Sequence, residues 1–236
     1  MAAKGEKIMT RSLLIVGLPR SMSSLIYCLC RDMTKKCLKT LDKNIFHEGD
    51  IFNHIQHFYP KILKKFGNPK LNQYQKHKKL LDKHKGGFLI KTVCQPRYLK
   101  KYFDENSDAY NVLIIRRDPA DVVYSLYLKE WYWVINILGL NSELERNQNI
   151  KKLCRAVIKI QEEYNEKIEG KFLISYDNLL EDETLLYRKL IEMGYDPNFI
   201  SHLDASFKRK RDAVFLTRKT PLYQMIKNEL ALLKTT

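Results

Sequence analysis

Short apolar runs rich in Leu, Ile and Val, each giving way to a polar loop and then a helix-patterned segment, restrict this chain to a narrow set of folds. Residues 12–17, SLLIVG, come first, and an apolar run closed by glycine is expected of a strand buried on both faces. The loop LPRSMSS follows, then LIYCLCRDMTKKCL, whose apolar spacing predicts a helix starting near Ser23 or Ser24. A short strand is predicted over 44–47, ahead of the acidic turn Glu48 to Asp50. Residues 51–85 read as mostly helical, broken at Pro60, Gly67 and Pro69, with a solvated Lys/His/Gln stretch over 73–85. Gly86 and Gly87 release a strand over 88–92, FLIKT, and residues 111–116, NVLIIR, predict the central strand.

Further along, DPADVVYSLYLKEWYW is helical, with Pro119 tolerated in the first turn. A long amphipathic helix fits 143–168, a strand 171–175, a helix 179–193 capped by Gly194, and a closing helix 222–233. Strands alternating with helices predict an α/β fold of three layers, α/β/α, around a mainly parallel sheet. No repeat or linker interrupts the pattern, so residues 1–236 are expected to form a single domain.

Composition narrows the class. With 44% apolar residues over 236 positions the chain can fill a sizeable core, and 11% aromatics with 29% charge exclude an acidic or low-complexity disordered chain. No apolar run approaches the ~20 residues of a membrane span, and the first residues lack a signal-peptide core. The 5 cysteines, Cys28, Cys30, Cys37, Cys94 and Cys154, are odd in number and contain no CxxC pair, which argues against a disulfide framework or a zinc site. A soluble cytoplasmic protein is expected. Lys+Arg number 42 against 27 Asp+Glu, a net charge of +15. That excess suits a polyanion or an anionic small ligand, yet a diffuse lysine coat is the commoner reading.

The loop after the first strand carries the chemistry. In such folds ligands sit beyond the carboxyl ends of the strands. There, helix N–H groups and the helix dipole, with the charge of Arg20 and the hydroxyls of Ser21, Ser23 and Ser24, suit a phosphate or sulfate group. A serine that merely caps the helix would use the same donors. The nucleotide-triphosphatase pattern GxxxxGKS/T does not fit, because the second glycine and the lysine are missing.

GLPRSMSS instead resembles the phosphosulfate-binding loop of sulfotransferases, P-K/R-S-G-T-T, through Pro19, Arg20, Ser21, Ser23 and Ser24, with Met22 where that loop has glycine. RRDPADVVYSLY closely resembles the 3′-phosphate motif of the same family, R-N/D-P-x-D-x-x-x-S, with Arg117, Asp118, Pro119, Asp121 and Ser125 in register. A late strand followed by Y-x-x-L, FLISYDNLL, agrees. The likeness spans roughly residues 12–196.

The resemblance implies a P-loop-like sulfotransferase architecture and transfer of a sulfuryl group from 3′-phosphoadenosine 5′-phosphosulfate (PAPS) to a hydroxyl or amine, without a metal. It implies that Pro19, Arg20, Ser21, Met22, Ser23 and Ser24 hold the 5′-phosphosulfate, and that Arg117 and Ser125 hold the 3′-phosphate. The two cradles would stand about one adenosine nucleotide apart. Asp121 is expected to be structural, holding the arginine or capping the turn, and Arg116 can point to solvent. Lys91 of FLIKT falls where the family places a lysine near the transferred group, but Val93 stands where cytosolic members have the basic histidine. Glu48 is the expected replacement base, since other members place a Glu or His after the second strand, with His47 and Asp50 as competitors and His54 and His57 as further candidates. Arg209 and Arg211, in the basic tail, are the contacts expected from a late donor-closing loop.

Tyr124, Tyr127, Trp131, Tyr132 and Trp133 are expected to be core first and acceptor pocket second. The positive surface and modest length favour a small-molecule or glycan acceptor, preferably anionic. Competing readings are a P-loop-type nucleotide or small-molecule kinase, which wants a loop lysine and a Mg²⁺-holding acid, a basic nucleic-acid-binding protein, which wants a recognisable RNA-binding pattern, and a degenerate sulfotransferase that only binds donor.

Overall fold

The computed structural model describes residues 11–18, 20–40, 86–92, 107–130, 146–167, 171–202 and 218–234. Five strands form one sheet: β1 (Ser12–Gly17), β2 (Lys39–Thr40), β3 (Phe88–Thr92), β4 (Tyr110–Arg116) and β5 (Lys171–Ser175). Their order is β2-β3-β1-β4-β5, and every pairing is parallel. The helices are α1 (Ser23–Thr34), α2 (Pro119–Leu128), α3 (Arg146–Lys167), α4 (Tyr176–Glu181), α5 (Leu185–Glu192) and α6 (Pro221–Lys234).

Strand periodicity sorts the core into two halves. Leu14, Val16, Ile90, Val112 and Ile114 point to one face, where α2, α3 and α6 cover them with residues such as Val122, Leu126, Val157 and Ile226. Leu13, Ile15, Leu89, Leu113 and Ile115 point to the other, against Ile26 and Met33 of α1, Leu179 of α4, and Leu186 and Leu190 of α5. A strand covered on both faces has no place for alternating polar residues, which is why these segments read as continuous apolar runs. The expected three-layer α/β/α arrangement is therefore present.

Two elements depart from the sequence reading. The helix expected over 179–193 is two helices, because Asp182 adopts an extended conformation (φ −130°, ψ 96°) and its carboxylate accepts from both the N–H and the hydroxyl of Thr184. A side chain that satisfies the backbone locally competes with helix continuation. Gly194 does close α5, at φ 87°, in a Schellman motif: its N–H donates to the Ile191 carbonyl and that of Tyr195 to the Leu190 carbonyl. The strand β2 was not anticipated, while the strand expected over 44–47 and the helical segment 51–85 lie outside the described residues.

Among the described residues Cys30 and Cys154 are buried, Cys28 and Cys37 half-buried, and all four are free thiols, while Cys94 lies outside those residues. Burial pushes the Cys154 thiol up to about 12 and pushes Cys30 and the phenols of Tyr195 and Tyr223 still higher. The folded state thus keeps these protons at a pH where the unfolded chain has released them. Stability is expected to be constant up to about pH 8.5 and to fall progressively above pH 9. Calorimetric melting between pH 7 and 11 checks this, and a flat midpoint throughout would contradict it.

Candidate anion-binding site at the switch point

β1 and β4 lie side by side, with Gly17 in register with Ile115. The chain leaves β1 into α1 on one face of the sheet and leaves β4 into α2 on the opposite face. Connections that part in this way open a crevice beyond the strand ends, the position where ligands bind in open α/β sheets. Both motif loops sit there.

The first loop is tightly built. Arg20 and Met22 both have left-handed backbones, at φ 67° and 69°. A methionine therefore stands where a glycine would be more comfortable, at a cost of about 1–2 kcal/mol. Met22 is also the N-cap residue of α1, and its side chain makes no capping hydrogen bond. Ser23 and Ser24 are consequently the first two helical residues rather than caps, which corrects the capping alternative. The N-terminal N–H groups of α1 are left without a side-chain cap, the arrangement that attracts anions. Ser21 is fully buried behind the loop; its N–H donates to the Leu18 carbonyl and its Oγ has no hydrogen-bond partner.

Side chains separated widely in sequence meet here. Arg20 Nε donates to Ser125 Oγ at 2.8 Å across 105 positions of sequence. Arg117 Nη1 donates to the Arg20 carbonyl at 2.9 Å, and the buried Lys91 donates through Nζ to Ser24 Oγ at 2.9 Å. The two cradles, expected to stand a nucleotide apart, share Arg20, because adjacent parallel strands are only ~4.8 Å apart. Burial, and then the neighbouring charge of Arg117, hold the Arg20 guanidinium below its ordinary pKa. Crowding cations in this way is unfavourable until an anion enters between them.

Arg117 is fixed from several sides. Its carbonyl accepts from Gln161 Nε2 of α3, and its guanidinium lies 5.6 Å from the centroid of the Tyr176 ring. Its Nε is 3.5 Å from Asp121 Oδ2 but makes no hydrogen bond. Tyr176 is wholly buried with an unpartnered hydroxyl, and burial raises its pKa, opposed in part by Arg117. Asp118 caps α2 by accepting from the Ala120 N–H. Asp121 is buried, and it is Asp118 rather than Asp121 that caps the turn, while Arg116 is exposed.

The sequence reading missed Arg218, which binds both oxygens of Asp121 (3.3 and 2.8 Å) and Asp177 Oδ1 (2.5 Å). The signal available was indirect: Asp121, predicted to be structural inside an apolar helix, needed more cationic company than Arg117. Tyr127 is buried and Tyr124 packs edge-on against Tyr223, so both serve the core, while Trp131, Tyr132 and Trp133 lie outside the described residues. Pro19, His47, Glu48, Asp50, His54, His57, Val93, Arg209 and Arg211 lie outside them too.

Fold and site together define a parallel α/β protein with a cationic, helix-tipped candidate site for an anion at its switch point. No protein-family model matches the chain, and no curated protein matches it. Among solved structures it is similar to mouse sulfotransferase SULT7A1 complexed with PAP, at 13% identity over 86% of this chain and 64% of that one, with a TM-score of 0.47. A sulfotransferase from Alicyclobacillus acidocaldarius is similar at 16% identity over 93% and 97% of the two chains, with a TM-score of 0.49. A sugar kinase from Janibacter is similar at 12% over 82% and 99%, with a TM-score of 0.44. The chain thus spans 64% of the length of the mouse protein.

Proposed function

We propose that this chain is a sulfotransferase that moves a sulfuryl group from PAPS to a hydroxyl or amine of a small-molecule or glycan acceptor. One contact carries the reading: the Arg20–Ser125 hydrogen bond, which joins the two loops whose sequences resemble the phosphosulfate and 3′-phosphate motifs. The residues present fit an anionic donor. The α1 N-terminus lacks a side-chain cap, Ser21 Oγ is an orphaned buried hydroxyl, and Arg20 is packed against a like charge.

In this reading the α1 N–H groups, Arg20, Ser21, Ser23 and Ser24 grip the 5′-phosphosulfate, with Pro19 and Met22 shaping the loop. Arg117 and Ser125 grip the 3′-phosphate, and Arg209 and Arg211 close over it. The acceptor oxygen bonds to sulfur as the bond from sulfur to the 5′-phosphate oxygen breaks. Arg20 meets the charge that develops on the departing phosphate, and Lys91, held by Ser24, meets that on the sulfuryl oxygens. The acceptor's proton goes to Glu48, with His47 the second candidate. The protein acts mainly by placing groups and stabilising spreading charge. No metal is assigned a role. The net positive charge supports an anionic acceptor, and an odd cysteine count without a CxxC pair supports a cytoplasmic setting; residues 1–236 are taken as one domain.

The direct test is calorimetric titration with adenosine 3′,5′-bisphosphate, followed by incubation with labelled donor and a library of alcohols, phenols, sugars and amines. Saturable nucleotide binding and transfer that persists in EDTA are expected; absence of nucleotide binding would overturn the reading. Within it, Glu48→Gln is expected to lower turnover by ~10²-fold or more at nearly unchanged donor affinity. Near-normal turnover in that variant would pass the role of base to His47.

A further inference from the structure

We infer that Arg218 is a positioning residue for Arg117: by binding Asp121 itself, it keeps the Arg117 guanidinium available for the donor's phosphate. This rests on the donor reading above and adds a residue that neither motif contains.

The observation is an unequal contest for one carboxylate. Asp121, with 1% of its side chain exposed, faces two arginines. Arg218 takes it with a two-pronged grip, Nε to Oδ1 and Nη2 to Oδ2, and its Nη2 also reaches Asp177. Arg117 is left at 3.5 Å, with its Nε unbonded and only Nη1 engaged, on a carbonyl. A buried carboxylate takes whatever cation it can, since an uncompensated buried charge is strongly unfavourable. Without Arg218, Asp121 has Arg117 as its nearest cation. Arg117, just ahead of α2, stands 3.5 Å from Asp121 in its first turn, close enough for the pair to close into a full fork. The guanidinium would then be neutralised and drawn off the Arg20 carbonyl.

Asp177 extends the device. Its second oxygen accepts from the Asp118 N–H, so the same arginine ties the entry to α6, the start of α2 and the start of α4 into one junction.

The test is affinity for adenosine 3′,5′-bisphosphate by calorimetry, with thermal melting to confirm folding, on wild type, Arg218→Gln, Asp121→Asn and the double variant. Arg218→Gln is expected to bind about tenfold more weakly, and adding Asp121→Asn is expected to restore affinity to within about threefold of wild type, because the competitor for Arg117 is gone. A residue that merely braced the fold would show losses that add up, and a double variant no better than Arg218→Gln would overturn the inference. So would Arg218→Gln binding like wild type. Should Arg218→Gln fail to fold, Arg218→Lys, which keeps the charge but not the fork, carries the same comparison and is expected to lose about threefold, regained on adding Asp121→Asn. A wild-type protein that binds no nucleotide would remove the donor reading and this inference together, whereas wild-type binding without the rescue removes this inference alone.

Discussion

Replacing Arg20 by Ala is expected to lower turnover by ~10³-fold or more, the range seen when a group that meets transition-state charge is removed from a water-poor site. The reason lies in where Arg20 stands. It is packed beside Arg117, shares a hydrogen bond with Ser125 and lies at the tip of a helix whose first N–H groups have no side-chain cap. Each of these neighbours acts on the same small volume, and removing Arg20 takes away the charge assigned to the departing phosphate. Donor affinity is expected to fall as well, though less, because Arg117, Lys91 and the helix N-terminus persist. The measurement is steady-state transfer from labelled PAPS, alongside nucleotide binding. An Arg20→Ala variant within tenfold of wild type in kcat would remove Arg20 from the chemistry. Arg20→Glu should abolish nucleotide binding, since it inverts the charge at the same place.

Gly17→Ala is expected to damage the site through packing alone. A Cβ on Gly17 would stand 2.6 Å from Ser21 Oγ, closer than real Cβ atoms come to any heavy atom, and 3.4 Å from the Ile115 Cβ, a close but ordinary contact. Ser21 is fully buried in the loop that turns back over the end of β1, so its hydroxyl or the loop that carries it has to shift. The expected destabilisation is about 1–3 kcal/mol, as for other overpacked interiors, and nucleotide affinity should fall by more than tenfold as the α1 N-terminus moves. Adding Ser21→Ala removes the atom in the way and should recover most of the stability. Thermal melting of the single and double variants decides: a Gly17→Ala protein as stable as wild type would show that the loop yields at no cost.

Much of this was legible in the residues themselves. Runs such as SLLIVG and NVLIIR carry β-branched and leucine side chains without polar interruption, and only a strand covered on both faces accommodates that pattern, so parallel α/β architecture followed directly. The helix starts after β1 and β4 were legible because a polar loop ends each apolar run. The break at Asp182 was not, since an aspartate inside a helix-like stretch shows its competing local hydrogen bonds only once Thr184 is in reach. Nor did the spacing show that the two motif loops touch, because strand order is a matter of which distant segments pair.

Local pattern, which depends on side-chain size and polarity over a few neighbours, determined the layers and the two loops, while the resemblance of those segments to sulfotransferase motifs singled out Arg20, Arg117, Ser125 and Lys91 as candidates. Tertiary structure alone decided that β1 and β4 are neighbours whose helices part to opposite faces, that Met22 takes a glycine-like backbone, and that Arg218 reaches back 97 positions to Asp121. Those are contacts across long stretches of chain. Their existence depends on the closing of large loops and the filling of shared volume, quantities that no short window of residues contains.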